Sequence, residues 1–302
     1  MCGIAGIIIK SNDANNNIGS ILVTMLSSMG HRGPDSSGVA IYNQNGTAVT
    51  LRVAVDTPEI YPTVEKILTE QGVLNLRRET HPRYELMIFE LAKEESRADY
   101  IRTLTDIPGV QVHSMGSSMT IMKDTISPEN LGKEFDIHNY KGSHGIGHVR
   151  LATESKVSCG YAHPFQSLDL PDLSIVHNGT ITNYHKLRRM LERKGFRFQT
   201  DNDSEAIAQT LAYFMLKEGK TFEDALREVH YRLDGTYSFI VASPHNVGIA
   251  KDRLAAKPMM IGGNDWGVAI ASEEIAVRSI LGNDATVEEL PPGEVRTWGI
   301  ST

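Results

Sequence analysis

The apolar positions of this 302-residue chain fall into short runs, and their spacing alternates between strand-like and helix-like along its length. Ile4 to Lys10 is a short apolar, β-branched run and predicts a strand. Ser37 to Tyr42, Asn45-Gly46 and Ala48 to Val55 predict a strand, a hairpin turn and its partner strand. Between them, Ile21, Leu22, Met25, Leu26 and Met29 recur at helical spacing within Ile18 to Met29.

Residues 58 to 126 differ in texture: a helix at Pro62 to Gln71, an apolar run Tyr84 to Leu91, a charged helix near Lys93 to Thr105, then Val110 to Val112 and Met119 to Met122. This βαββ-like order predicts a small inserted α+β subdomain. It carries no dense group of Cys, His or acidic residues, so packing or partner docking is its expected role.

Strands return at Gly147 to Leu151 and Leu173 to His177, followed by amphipathic helices at Asn183 to Lys194, Ser204 to Lys217 and Phe222 to Leu233. Tyr237 to Ala242, Val247 to Lys251, Met259 to Gly262, Gly267 to Ser272 and Glu294 to Trp298 then form short strands punctuated by Gly, Pro, Asn and Asp. Strands outnumber helices and three helices come as a block. That order favours two antiparallel sheets with helices packed outside over an alternating parallel design.

Composition narrows the function. The apolar fraction of 40% and charged fraction of 22% are those of a soluble globular protein, and no apolar run is long enough to span a membrane. The net charge of −7, with basic residues scattered, argues against nucleic acid as a partner. Two cysteines, Cys2 and Cys159, make no disulfide framework, and the N-terminus lacks a secretory signal, so the cytoplasm is the expected compartment.

Cys2 is the residue that composition leaves unexplained. Removal of Met1 would put a thiol and a free α-amine on one residue. An α-amine titrates at about 7.7 to 8.0 in model peptides, so at neutral pH part of it is free to accept the thiol proton. Cys2 then supplies both nucleophile and base. The alternative is a buried strand cysteine. Cys159 has no base in its sequence neighbourhood and is expected to be structural.

Five segments in order carry a resemblance: Met1-Cys2-Gly3-Ile4-Ala5-Gly6, His31-Arg32-Gly33-Pro34-Asp35-Ser36-Ser37-Gly38, Gly147-His148-Val149-Arg150-Leu151-Ala152-Thr153, His177-Asn178-Gly179 and Asp201-Asn202-Asp203-Ser204-Glu205. Together they resemble the class II, N-terminal-nucleophile glutamine amidotransferases. The resemblance implies a four-layer αββα sandwich and hydrolysis of L-glutamine through a γ-glutamyl thioester.

Residue by residue, it implies that Arg32 organises the surroundings of the nucleophile, against the alternative of an ion pair with Asp35. Arg150 would hold the glutamine α-carboxylate through a guanidinium fork, supported by Thr153. Asp203 would meet the α-amine, or cap the helix that follows it, or both. Asn178 and Gly179 would form the oxyanion hole, against the alternative of a simple Asn-Gly turn. His163, in His163-Pro164-Phe165, would line the glutamine pocket. His148, His163 and His177 fit no zinc spacing, and Gly142 to Gly147 fits no phosphate-binding motif, so neither metal nor cofactor is expected.

No acceptor-binding motif accompanies these segments. The chain looks most like the separate amidotransferase subunit of split glutamate synthases and N-methylglutamate synthases, which implies an FMN-dependent synthase subunit as partner. A free-standing amidohydrolase of the same fold and a catalytically silent regulatory subunit are the alternatives.

Overall fold

A computed structural model describes residues 2–10, 17–43, 48–81, 84–91, 97–152, 157–170 and 172–300. In chain order the first elements are β1 (Gly3–Ile9), α1 (Ile18–Ser28), β2 (Ser36–Tyr42), β3 (Val49–Val55), α2 (Tyr61–Glu70), β4 (Val73–Thr80), β5 (Glu85–Leu91), α3 (Arg97–Thr105), β6 (Val110–Gly116), β7 (Met119–Asp124), α4 (Pro128–Glu134) and β8 (His144–Arg150). Then follow β9 (Phe165–Gln166), β10 (Ser174–Ile181), α5 (Tyr184–Arg193), α6 (Asp203–Leu216), α7 (Phe222–Arg232) and β11 (Gly235–Ser243). The last are β12 (Asn246–Lys251), β13 (Met260–Gly263), β14 (Gly267–Ala271), α8 (Glu274–Leu281), β15 (Val287–Glu289) and β16 (Val295–Gly299).

The strands form a seven-stranded sheet in the order β15-β13-β14-β1-β8-β2-β7 and a five-stranded sheet in the order β16-β12-β11-β10-β9. Their paired neighbours run antiparallel. Ile4, Ile8 and Ile146 from the first sheet meet Val176, Ile240 and Ile249 from the second in one buried cluster. The other face of the seven-stranded sheet, with Ala5, Ile7, Val39 and Ala271, is covered by Leu22, Met25 and Leu26 of α1 and by Ala276 and Val277 of α8. The outer face of the five-stranded sheet packs on α5, α6 and α7. Four layers in the order αββα result, as the resemblance implied. Each wholly buried aliphatic side chain adds roughly 1.5–3 kcal/mol to the favourable side of folding.

The continuous apolar run of β1 follows from this stacking. Successive side chains point to opposite faces, and both faces are covered. Among the described residues no helix is long and apolar enough to cross a membrane.

Two expectations change. Ser37 to Tyr42 and Ala48 to Val55 are not hairpin partners: β2 pairs with β7 and β8, whereas β3 pairs with β5 and β6 in a separate four-stranded sheet, β4-β5-β3-β6. The Asn45-Gly46 turn lies outside the described residues. For the same reason the boundaries of 58–126 shift. Val49, Leu51 and Val53 of β3 are buried with Met87, Phe89 and Met115, so the small sheet begins at β3, while β7 returns to the seven-stranded sheet. Burial of these apolar faces decides the partners, and local turn preference does not.

Candidate active site

Cys2 stands immediately before β1, the central strand of the seven-stranded sheet. Its carbonyl oxygen accepts two hydrogen bonds, from Arg32 Nε at 2.9 Å and Asn178 Nδ2 at 3.1 Å. Both lone pairs are thereby used and the residue is held from two sides. Its Sγ lies 3.7 Å from the Leu151 carbonyl oxygen. Behind it, Ser272 Oγ accepts from Ile4 N at 3.0 Å and Ser272 N donates to Ile4 O at 3.0 Å, fixing the start of β1.

Arg32 is itself anchored. Its Nη1 donates to Glu273 Oε1 at 2.5 Å, and His31 Nε2 lies 3.3 Å from the same carboxylate. Burial works against ionising Glu273, but the Arg32 hydrogen bond and charge, with His31, outweigh it and hold the carboxyl below its usual range. The alternative pairing of Arg32 with Asp35 does not occur; Asp35 Oδ2 instead accepts from Ala152 N at 2.7 Å, and Asp35 N donates to Arg150 O at 3.0 Å. Gly33 makes this approach possible: a Cβ there would stand 2.4 Å from Arg150 N.

Arg150 ends β8 with its side chain buried, and burial lowers its pKa while the nearby Cys2, Asp35 and Tyr161 oppose that shift. Asn178 and Gly179 lie on β10. Gly179 has φ +146°, and a Cβ would meet Thr236 O at 2.1 Å, so only glycine fits. Here the Asn-Gly pair sits within a strand and makes no hairpin turn.

Asp203 opens α6, but the cap is Asn202, whose side chain accepts from Ser204 N at 2.9 Å. Freed from capping, Asp203 Oδ2 accepts from Ile181 N at 3.0 Å, and Oδ1 lies 3.6 Å from His177 Nδ1. Burial raises its pKa, yet the His177 ring and the Ile181 and Ser204 N–H groups outweigh burial and keep it low. His163 Nε2 and His177 Nδ1 share Ser204 Oγ at 2.8 and 2.9 Å, and the His163 ring stacks on His148 at 4.0 Å. Burial first, then neighbouring charges, push His148 down to about 3 and His163 well below its ordinary value, so both rings are neutral at pH 7.

The three histidines are thus gathered as one hydrogen-bonded wall. Among the described residues no group of three or more His, Cys, Asp or Glu is arranged to hold a metal ion. Thr153 lies outside the described residues. Glu273 and Tyr161 join the site without a signal in the sequence pattern, and Ser204, within a quoted segment but assigned no role there, joins it through His163 and His177; their partners come from segments remote in the chain. Cys159 also gains neighbours from afar: its Sγ lies 3.7 Å from His113 Nδ1 and 3.1 Å from Lys123 O.

Comparison with known proteins bears on what this arrangement does. A family model described as a glutamine amidotransferase domain matches residues 148–279. A putative glutamine amidotransferase of Methanothermobacter thermautotrophicus is 38% identical over 99% of this chain and 100% of its own length. This chain belongs to the class II glutamine amidotransferases. The amidotransferase is also 36% identical to the glutamine amidotransferase-like protein GlxB of Rhizobium meliloti, over 99% of this chain and 98% of that one. Its fold matches the glutamine phosphoribosylpyrophosphate amidotransferase of B. subtilis with a TM-score of 0.63 at 20% identity, over 99% of this chain and 49% of that one. That likeness places the amidotransferase in the N-terminal-nucleophile hydrolase fold.

Proposed function

We propose that this amidotransferase hydrolyses L-glutamine through a Cys2 thioester and passes the ammonia to a partner synthase subunit of the glutamate synthase or N-methylglutamate synthase type. The observation that carries the reading is the double grip of Arg32 and Asn178 on the Cys2 carbonyl, which holds a thiol beside the buried Arg150.

With Met1 removed, the α-amine of Cys2 takes the thiol proton and Sγ attacks the glutamine side-chain carbonyl carbon. The oxyanion is met by the second N–H of the Asn178 amide, its first being on Cys2 O, and by the Gly179 backbone. The tetrahedral centre collapses with C–N cleavage, and the ammonium of Cys2 returns its proton to the leaving ammonia. Water then cleaves the thioester, giving glutamate and the free thiol. Arg150 holds the α-carboxylate, with Thr153 in support, Asp203 meets the α-amine, and His163 lines the pocket. A reactive thiol suits a reducing compartment, and we place the protein in the cytoplasm.

The test joins intact-mass analysis to an ammonia-release assay. Protein starting at Cys2 is expected to be active, and Cys2→Ser or verified retention of Met1 to abolish turnover; full activity with Met1 retained refutes the N-terminal base. Co-expression with an FMN-dependent synthase subunit of the glutamate synthase type tests the partnership. A stable complex with faster glutamine turnover supports it, and no association with unchanged turnover refutes it.

A further inference from the structure

A cavity of about 290 Å³ lies between the small four-stranded unit and the αββα sandwich, walled by α3, β6, the 158–168 segment and residues 197–200. Lys123 of β7 and His113 of β6 line it, with Phe165 and Phe198 among its apolar walls. At its edge the Asp106–Arg197 ion pair, 2.7 Å long with side chains 67% and 52% exposed, is closed on itself in solvent.

Lys123 is unusual here. It is buried, and its Nζ donates to the carbonyls of Ala162 at 2.8 Å and Pro164 at 3.1 Å. Two of its three N–H groups are therefore used, and among the described residues no carboxylate lies within ion-pair distance. A buried ammonium with no carboxylate in contact is costly to keep, and here only Cys159 and Glu205 favour its charge, against the burial. His113 sits beside it with Nδ1 against the Cys159 thiol and with a buried Nε2 that has no hydrogen-bond partner among the described residues. A second buried cation, Arg52, adds to the positive field at His113. A lysine with no carboxylate in ion-pair contact and a histidine whose Nε2 has no hydrogen-bond partner among the described residues thus line one roofed space, an arrangement that fits a negatively charged acceptor.

We propose that this cavity is a binding site for a small carboxylate, anchored by the third N–H of Lys123 and by His113 Nε2, with its carbon skeleton against Phe165 and Phe198. The volume, at the lower end of small-molecule sites, suits a small carboxylate. Burial lowers the pKa of Lys123 and drives that of His113 down to about 3, and a bound carboxylate would pull both back upward. The cavity shares Tyr161 and the 158–168 segment with the candidate active site, but Cys2, Arg150, Asn178, Gly179 and Asp203 do not line it, and its existence does not depend on the glutaminase reading.

The test is calorimetric titration of the full chain with succinate, its neutral diamide succinamide, and inorganic phosphate. Arg150→Met is included because it removes the carboxylate partner proposed for the glutamine pocket. Succinate is expected to bind wild type and Arg150→Met alike, and succinamide to bind neither. Lys123→Gln retains two donors for the Ala162 and Pro164 carbonyls but not the charge, and is expected to weaken succinate about tenfold or more. His113→Leu is expected to weaken it several-fold, which gives a second variant should Lys123→Gln unfold. Undiminished succinate binding by folded Lys123→Gln, its loss in Arg150→Met, equal binding of succinamide, or a preference for phosphate each overturns the assignment.

Discussion

β1 and β4 are strands of similar length in opposite circumstances. β1 is central, with six of its seven residues buried between the α1 layer and the second sheet. β4 is an edge strand of the four-stranded sheet, and only Val73 of its eight residues is buried; Leu74, Arg77, Arg78 and Glu79 face solvent. On β1 each backbone position is over-determined by neighbours on every side, so a group at its head is aimed with little freedom. The charged outer edge of β4 discourages pairing with another chain and tolerates change. Packing constrains the sandwich strand most and the outer rim of the small sheet least.

Substitutions in the grip on Cys2 test that contrast most severely. Asn178→Ala is expected to lower kcat by about 10² to 10³, the usual cost of one oxyanion donor. Arg150→Lys should instead act mainly on KM, since a point charge cannot reproduce the guanidinium fork. Steady-state kinetics in which the two effects are exchanged would show the assigned roles to be wrong. Glu273→Gln loosens Arg32 and the neighbouring His31, so a kcat loss of roughly tenfold with KM little changed is expected. An effect confined to KM would mean that Glu273 does not act through the nucleophile.

A milder effect concerns pH. His144 of β8 is buried, stacks on Tyr42 at 4.4 Å and lies with Nε2 2.9 Å from Ser243 O. Burial, against the Ser243 hydrogen bond, pushes its pKa from 6.5 down to about 4. The unfolded chain therefore binds this proton first on acidification. The stability is fully present above about pH 6.5 and is lost progressively as pH falls toward 4. His144→Gln should make the urea midpoint less steep in that window, by up to about 1.4 kcal/mol per pH unit. An unchanged slope would show that His144 is not held neutral by the fold. The smallest change belongs to the rim: Leu74, 51% exposed, should accept Leu74→Ser within about 0.5 kcal/mol and with unchanged kcat. A larger loss would mean that the edge of β4 is covered in the working protein.

Much of the sandwich was legible because its elements carry strong periodicity. The spacing of Leu22, Met25 and Leu26 marks α1, and α5 and α7 are amphipathic, whereas α6 between them, expected to be amphipathic too, is buried along most of its length. β4 and α8 were not legible for the opposite reason. β4 has one buried position and shows no hydrophobic face to read, while α8 is short, so its face of Ala276, Val277, Ile280 and Leu281 spans barely two turns.

The sequence by itself determined the order of most elements of the sandwich, the candidate nucleophile and the residue types gathered around it, since these follow from local periodicity and from five ordered segments. Only the tertiary structure decided who meets whom. It sent β2 and β3 to different sheets because their apolar faces find different cores. It gave Arg32 to Glu273, 241 residues away, rather than to Asp35 three positions on, because Asp35 is drawn to the Ala152 N–H by the close approach that Gly33 permits. Capping passed to Asn202, leaving the Asp203 carboxylate for Ile181 and His177. Lys123 and His113 were set around one cavity by strands that the sequence shows only as short apolar runs. Hydrogen bonds and buried charges are satisfied by whatever group folding brings within about 3 Å, and that distance is a property of the packed chain rather than of the spacing along it.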